Sequence, residues 1–296
     1  TLPVMMYQDV IGLLDFGKGS VIGLILLAPA LLAFILDLFN RDRAAMTFVS
    51  KPFQVKKNRG RDLVAYLASL AVSLAVVLPI GAFLLLTLVK KYPSDMRLTL
   101  DNIRRTFAMN AAANLGRSLL IALVVGLTGV VLAFMSAYLT ARTQGRGVRI
   151  LHLASITPLA IPGIVLGLSY VLFFKGTWLY GSLALLILAN LVHFFASPYL
   201  MIYNSLSKIN ENLEAVGQTL GIGRWAIIRD VLIPQTRSTL GEMFVYFFVN
   251  SMMTISAVAF LANSRTRPLS LMITSFEATM MLECAAFVSL LILAVN

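Results

Sequence analysis

Apolar residues in this chain neither alternate with polar ones nor recur on a single helical face. They come in unbroken blocks separated by short polar stretches. A hydrocarbon core of about 30 Å takes roughly 20 helical residues to cross, and seven blocks reach or approach that length. They run over 21–39, 63–89, 118–140, 153–174, 179–203, 239–262 and from 282 to 296. Such uniform runs predict membrane-crossing helices and exclude the period-two pattern of a membrane barrel. Proline and glycine mark expected bends: Pro79, Ile80 and Gly81 interrupt the second block, and Pro158, Pro162, Gly163 and Gly167 the fourth. Gly126, Gly129, Ala133 and Ser136 are small enough to let helices approach closely.

Composition agrees, since 59% of the 296 residues are hydrophobic, 12% are charged, and the mean hydropathy is +0.87. A net charge of +11 would fit nucleic acid, but the basic residues lie in the loops between blocks rather than on one folded face. The 40–62 linker holds Arg41, Arg43, Lys51, Lys56, Lys57, Arg59 and Arg61. The 141–150 loop holds Arg142, Arg146 and Arg149, and the 204–238 loop holds Lys208, Arg224, Arg229 and Arg237. Placing these three loops in the cytoplasm puts fourteen basic residues inside against nine outside, Lys18 aside, which supports that orientation in a bacterial inner membrane although the 90–117 loop outside is itself basic. The single cysteine, Cys284, sits in an apolar run and reads as a small buried hydrophobe. Gly12 to Gly19 nearly spells a phosphate-binding loop, but Gly19 stands where Ser or Thr is required and a membrane block follows.

The chain also carries a weak internal repeat. A shift of 267 residues lays Thr1–Leu26 over Pro268–Leu293, with Leu2 on Leu269, Met5 on Met272, Val21 on Val288 and Ile25 on Ile292. Duplicated transporters show such symmetry. Three parts are expected: residues 1–39 as the end of a first copy with its last membrane helix, 40–62 as a basic cytoplasmic linker, and 63–296 as a second permease unit. With no methionine at Thr1, the rest of the first copy is expected to precede it.

The most patterned polar stretch is Ser205–Thr236, between two strongly apolar blocks. Asn210 can cap a helix over 211–220 with Glu211 and Glu214 near its positive end. Gly221 and Gly223 then supply a turn, a second helix over 225–233 is expected to place Trp225, Ile228 and Leu232 on one side, and Pro234 stops or redirects it. Two short helices at a sharp angle make a rigid knob suited to a groove on a partner.

With Leu213–Glu214–Ala215–Val216–Gly217–Gln218–Thr219–Leu220–Gly221 and Val231–Leu232–Ile233–Pro234, this stretch resembles the EAA loop of type I ABC importer permeases. The thirteen-residue step from Gly221 to Pro234 is intact. One departure stands out: counting back from Gly221, the family's glutamate falls on Ala215, and Glu214 comes one place early. The resemblance implies an all-α polytopic membrane protein, with a six-helix permease core plus the last helix of a preceding duplicated copy. It implies that Glu214, Ala215, Gly217, Gly221, Trp225, Leu232 and Pro234 dock on a cassette ATPase dimer in the cytoplasm. It further implies partnership with a periplasmic solute-binding protein and with the first permease copy in the same polypeptide. No cofactor is expected on this chain, because ATP would belong to the partner.

Polar residues inside apolar blocks tend to face a cavity or one another. Asn250, Ser251, Thr254 and Ser256 cluster in the 239–262 block, which the resemblance places beside the translocation path. Asn190 and His193, three apart on one helical face, form a second candidate for lining it. Glu242 and Glu283 fall near block ends, where structural roles are expected. A secondary transporter would more often bury carboxylates mid-block for ion coupling, and a membrane-embedded enzyme would need a clustered nucleophile, acid–base set or metal site. The sequence shows neither pattern. The resemblance leaves cargo open among ferric iron, phosphonates and phosphorylated sugars, with the fused ferric-iron and phosphonate branch nearest.

Overall fold

The computed structural model describes residues 5, 6, 10, 15–40, 57–210 and 212–296. Most of the expected linker, Glu211 and much of the 1–14 segment of the repeat lie outside the described residues. The described chain is helical apart from one small hairpin and falls into two compact units. One comprises Thr1–Ile35, Ala113–Leu271 and Asn296, and the other Leu36–Ala112 and Met272–Val295.

In the second unit, Asn58 opens helix α2 (Arg59–Leu88), its side chain accepting hydrogen bonds from the N–H groups of Gly60 and Arg61 at 3.1 and 3.3 Å. Helix α1 (Phe16–Asn40), in contrast, begins near the N-terminus and runs through Pro29. Thirty residues make α2 about 45 Å long, ample for a bilayer. Contrary to expectation, Pro79 does not interrupt it. A lone proline removes one hydrogen bond, and a long apolar helix absorbs that loss as a local adjustment.

The chain then forms an antiparallel hairpin, β1 (Val89–Lys91) and β2 (Asp95–Leu98), pairing Val89 with Leu98 and Lys91 with Asp95. The amphipathic α3 (Asp101–Ala108) follows. The last helix (Leu282–Val295) packs on α2 and α3, with Phe287 edge-on to Phe107 at 5.7 Å. Two buried polar residues fasten this unit. Asn102 Nδ2 donates to the carbonyls of Thr87 and Val89 at 3.1 and 2.6 Å, and Glu283 accepts from the Tyr92 N–H at 2.6 Å.

In the first unit, α4 (Ala111–Arg142) is the longest helix, and its glycines serve close contact. A Cβ on Gly126 or Gly129 would lie under 3 Å from the Phe244 or Phe247 ring. The block expected over 153–174 is not one helix. Helix α5 (Arg146–Ile156) passes through a 3₁₀ turn (Thr157–Ala160) into α6 (Gly163–Phe174), and the path bends by 111°. Pro162 holds Ile161 extended, which ends the helix.

The 179–203 block is likewise two helices, α7 (Leu183–Phe194) and α8 (Ala196–Ser207), bent by 50°. Pro198 accounts for this, since its ring opposes the Phe194 carbonyl four residues back. The 239–262 block also stops early. Its helix ends at Met253, and Thr254 turns extended with ψ 136°. Among the described residues, three helices can each cross a membrane, or up to five spans when each bent pair counts as one.

Asn102→Ala removes the donor that serves two buried carbonyls. The loss is expected to destabilise the unit by about 1–3 kcal/mol, read as a lower melting temperature of the detergent-solubilised protein. An unchanged melting temperature would show those carbonyls satisfied by other means.

Candidate functional site: the polar hairpin and the helix breaks

The polar stretch folds as a helical hairpin, though not quite as its sequence implied. Asn210 does not cap the first helix. Its Oδ1 instead accepts from the Asn212 N–H at 2.9 Å, closing a turn, and α9 spans Leu213–Thr219. The helix ends in a Schellman motif: the Ile222 N–H donates to the Gly217 carbonyl at 2.8 Å and the Gly221 N–H to the Gln218 carbonyl at 3.2 Å. Gly221 carries a φ of +69°, the left-handed conformation that favours glycine. Gly217 is buried because a Cβ there would run into Ile227 across the hairpin.

The return strand of the hairpin is α10 (Arg224–Ile227), a π-helical turn (Ile228–Leu232), α11 (Ile233–Gln235), and then α12 (Arg237–Met253). The π turn widens the backbone just before Pro234, and the chain continues helically through that proline rather than stopping at it. Ile227, Ile228 and Leu232 are buried as a result, whereas Trp225, expected beside Ile228 and Leu232, turns outward and is 63% exposed. Arg229 donates to Asp230 through Nε at 2.7 Å and Nη2 at 3.1 Å, which holds the Asp230 carboxyl below its ordinary range.

Between the two arms lies an apolar groove of about 250 Å³, lined chiefly by Leu213, Val216, Leu220, Ile222, Ile227 and Val231. Of its lining, Val216, Leu220 and Ile222 are exposed, Leu220 by 68%, and Ala215, Gly221 and Trp225 are exposed elsewhere on the hairpin. Pro234 is also exposed. Glu214 points the other way, its Oε2 lying 3.6 Å from Nη1 of Arg142. The apolar rim is thus presented by a hairpin that lies outside the apolar blocks, and such a patch marks an interaction surface.

The six residues expected to line a pathway divide. Ser256 and His193 meet at the start of α6: a Cβ on Gly163 would lie 2.5 Å from Ser256 Oγ and 2.8 Å from His193 Nε2. One turn on, a Cβ on Gly167 would lie 2.8 Å from the Ala257 carbonyl, so the glycine face of α6 receives the segment that follows the end of α12. Asn190 is buried, with Nδ2 donating to the Leu186 carbonyl at 2.8 Å and Oδ1 unpartnered. His193 Nδ1 and buried Ser251 Oγ also lack hydrogen-bond partners. Asn250 donates to the Tyr246 carbonyl at 2.8 Å, and the Thr254 carbonyl accepts from Ser270 Oγ at 2.6 Å. Both are therefore tied into local structure. Among the described residues, no group of three or more His, Cys, Asp or Glu could hold a metal ion.

Residues 129–296 match the family described as the binding-protein-dependent transport system inner membrane component. FbpB 1 of Haemophilus influenzae and the ferric transport system permease protein FbpB of Actinobacillus pleuropneumoniae are each 23% identical over 264 residues, 86% of this chain. The chain spans 42% and 38% of their respective lengths, well under half of the curated relatives it matches. The fold is similar to that of a bacterial ABC transporter involved in the import of the acidic polysaccharide alginate. The TM-score is 0.64 at 14% identity, covering 79% of this chain and 90% of that one.

Gly217→Val is expected to force the arms of the hairpin apart at Ile227. Limited trypsin digestion would then cut faster at Arg224 and Arg229 than in the wild-type chain, while an equal cutting rate would show that the hairpin does not depend on that contact.

Proposed function

From the premise that the chain belongs to the binding-protein-dependent transport system inner membrane components, multi-pass proteins of the inner membrane, we propose that it is the permease of an ATP-driven importer of ferric iron. The observation that carries this reading is the exposed apolar rim of the 213–235 hairpin, held rigid by Gly217, Gly221 and the π turn. A cassette ATPase in the cytoplasm would seat on Ala215, Leu220, Gly221 and Trp225, while Glu214 and Leu232, on the inner side, would anchor the hairpin without touching the cassette. Cassette motion would enter the bundle as movement of a preformed hook.

The chain itself would perform no chemistry, so ATP hydrolysis belongs to the partner. The names of the relatives support ferric iron among the cargo classes that the sequence leaves open, and a periplasmic solute-binding protein would deliver it. The two broken helices support a pathway at Gly163, His193 and Ser256, and the buried, unpartnered polar atoms of Asn190 and Ser251 are further candidates for it. Asn250 and Thr254 would then shape the end of α12 rather than contact cargo.

Proteoliposomes holding the permease, its cassette subunit and its binding protein are expected to accumulate ferric ion only with ATP inside the compartment that faces the cassettes. Uptake driven by a proton or sodium gradient without ATP would overturn the reading. Gly221→Val, which strains the left-handed turn, is expected to lower ATP-driven uptake by about tenfold. Undiminished uptake would remove the hairpin from the coupling path.

A further inference from the structure

Arg142 is the last residue of α4 and one of three basic residues in a loop where positive charge alone would be expected. Its surroundings make it something else. The guanidinium side chain is only 3% exposed and reaches three places at once. Nη1 donates to the Asn210 carbonyl at 2.8 Å and lies 3.6 Å from Glu214 Oε2, while Nη2 donates to the Leu206 carbonyl at 3.1 Å. Leu206 is in the last turn of α8 and Glu214 in the first turn of α9.

One planar cation therefore joins the end of α4, the end of α8 and the root of the hairpin. The fork geometry of arginine suits this, and the compact ammonium of lysine does not. The end of α4 is fixed to α8 a second time, through Thr140 Oγ1 and the Tyr199 hydroxyl at 2.8 Å.

The pair is also incomplete. Arg142 Nε and Glu214 Oε1 are buried without hydrogen-bond partners, and the 3.6 Å separation is longer than a charge-assisted hydrogen bond. Replacing such a pair with apolar side chains is often neutral for stability or better, whereas breaking it on one side is strongly destabilising. Folding alone thus gives weak grounds for its presence.

We propose that Arg142 is the positioning residue that transmits movement of the hairpin to the helix bundle, by clamping Glu214 to the ends of α4 and α8. The proposal rests on the reading of the hairpin as the element a cassette partner drives. A push on α9 then displaces α4 and α8 together, and α8 is the second half of a bent pair.

The test measures three quantities on the permease–cassette–binding-protein complex: thermal stability, ATP hydrolysis, and ferric ion uptake per ATP hydrolysed. Arg142→Met is expected to lower the melting temperature, and Arg142→Met with Glu214→Met to restore it while the cassettes stay bound. In that double variant ATP hydrolysis continues, but uptake per ATP falls by about tenfold. Arg142→Lys keeps the charge without the fork and is expected to lie between the double variant and wild type. If the double variant regains wild-type uptake per ATP along with its stability, the pair is structural only and the proposal fails. It also fails if the single and double variants lose stability alike. A wild-type complex that takes up no ferric ion with ATP would instead overturn the function reading, so the two failures are distinguishable.

Discussion

A bilayer interior offers no hydrogen-bond partner to a free N–H or C=O, so every break in a membrane helix has to be answered by another part of the protein. Besides the bend at Pro198, two breaks in this chain meet in one place. Pro162 ends the 3₁₀ turn and starts α6 at a new angle, while α12 ends at Met253 and the chain passes through extended Thr254 into a run of turns. Gly163 and Gly167 remove the side chains that would keep these segments apart, and Ser256, Ala257 and His193 fill the space. Single prolines at positions 29 and 79, with no such junction around them, leave their helices whole.

The same constraint explains what could be read in the sequence. The helices that begin at Phe16, Arg59 and Ala111 are legible because a long apolar run has one solution in lipid. Gly221 is legible because an αL helix end favours glycine, and the thirteen-residue step to Pro234 fixes the rest of the hairpin. The bend at Pro162 is legible from its prolines and glycines, whereas the stop at Met253 is not. Composition at 254–262 gives no reason to stop a helix, and the stop depends on Gly167 admitting the Ala257 carbonyl. Trp225 turns outward because the first turn of α10 gives its buried face to Ile227 and Ile228, a choice that apolar spacing alone does not make. Arg142 counted as a loop charge, because its three partners lie 64 to 72 residues away in sequence.

Taken together, these features describe a hook of fixed shape rooted in a bundle with two built-in breaks. The hook leaves apolar side chains exposed, and its root is held by one arginine whose side chain is buried.

The central claim is that the outer rim of the hairpin, and not its inner face, seats a nucleotide-driven partner. Site-directed cross-linking tests it most directly, in a background where the single native cysteine is replaced by Cys284→Ala. A cysteine at exposed Leu220 should join to the cassette subunit in intact membranes, with a yield that changes between the nucleotide-free and ATP-bound states, while one at buried Leu232 should not join. Cross-links at Leu232 without any at Leu220, or a Leu220 yield that no nucleotide alters, would contradict the account.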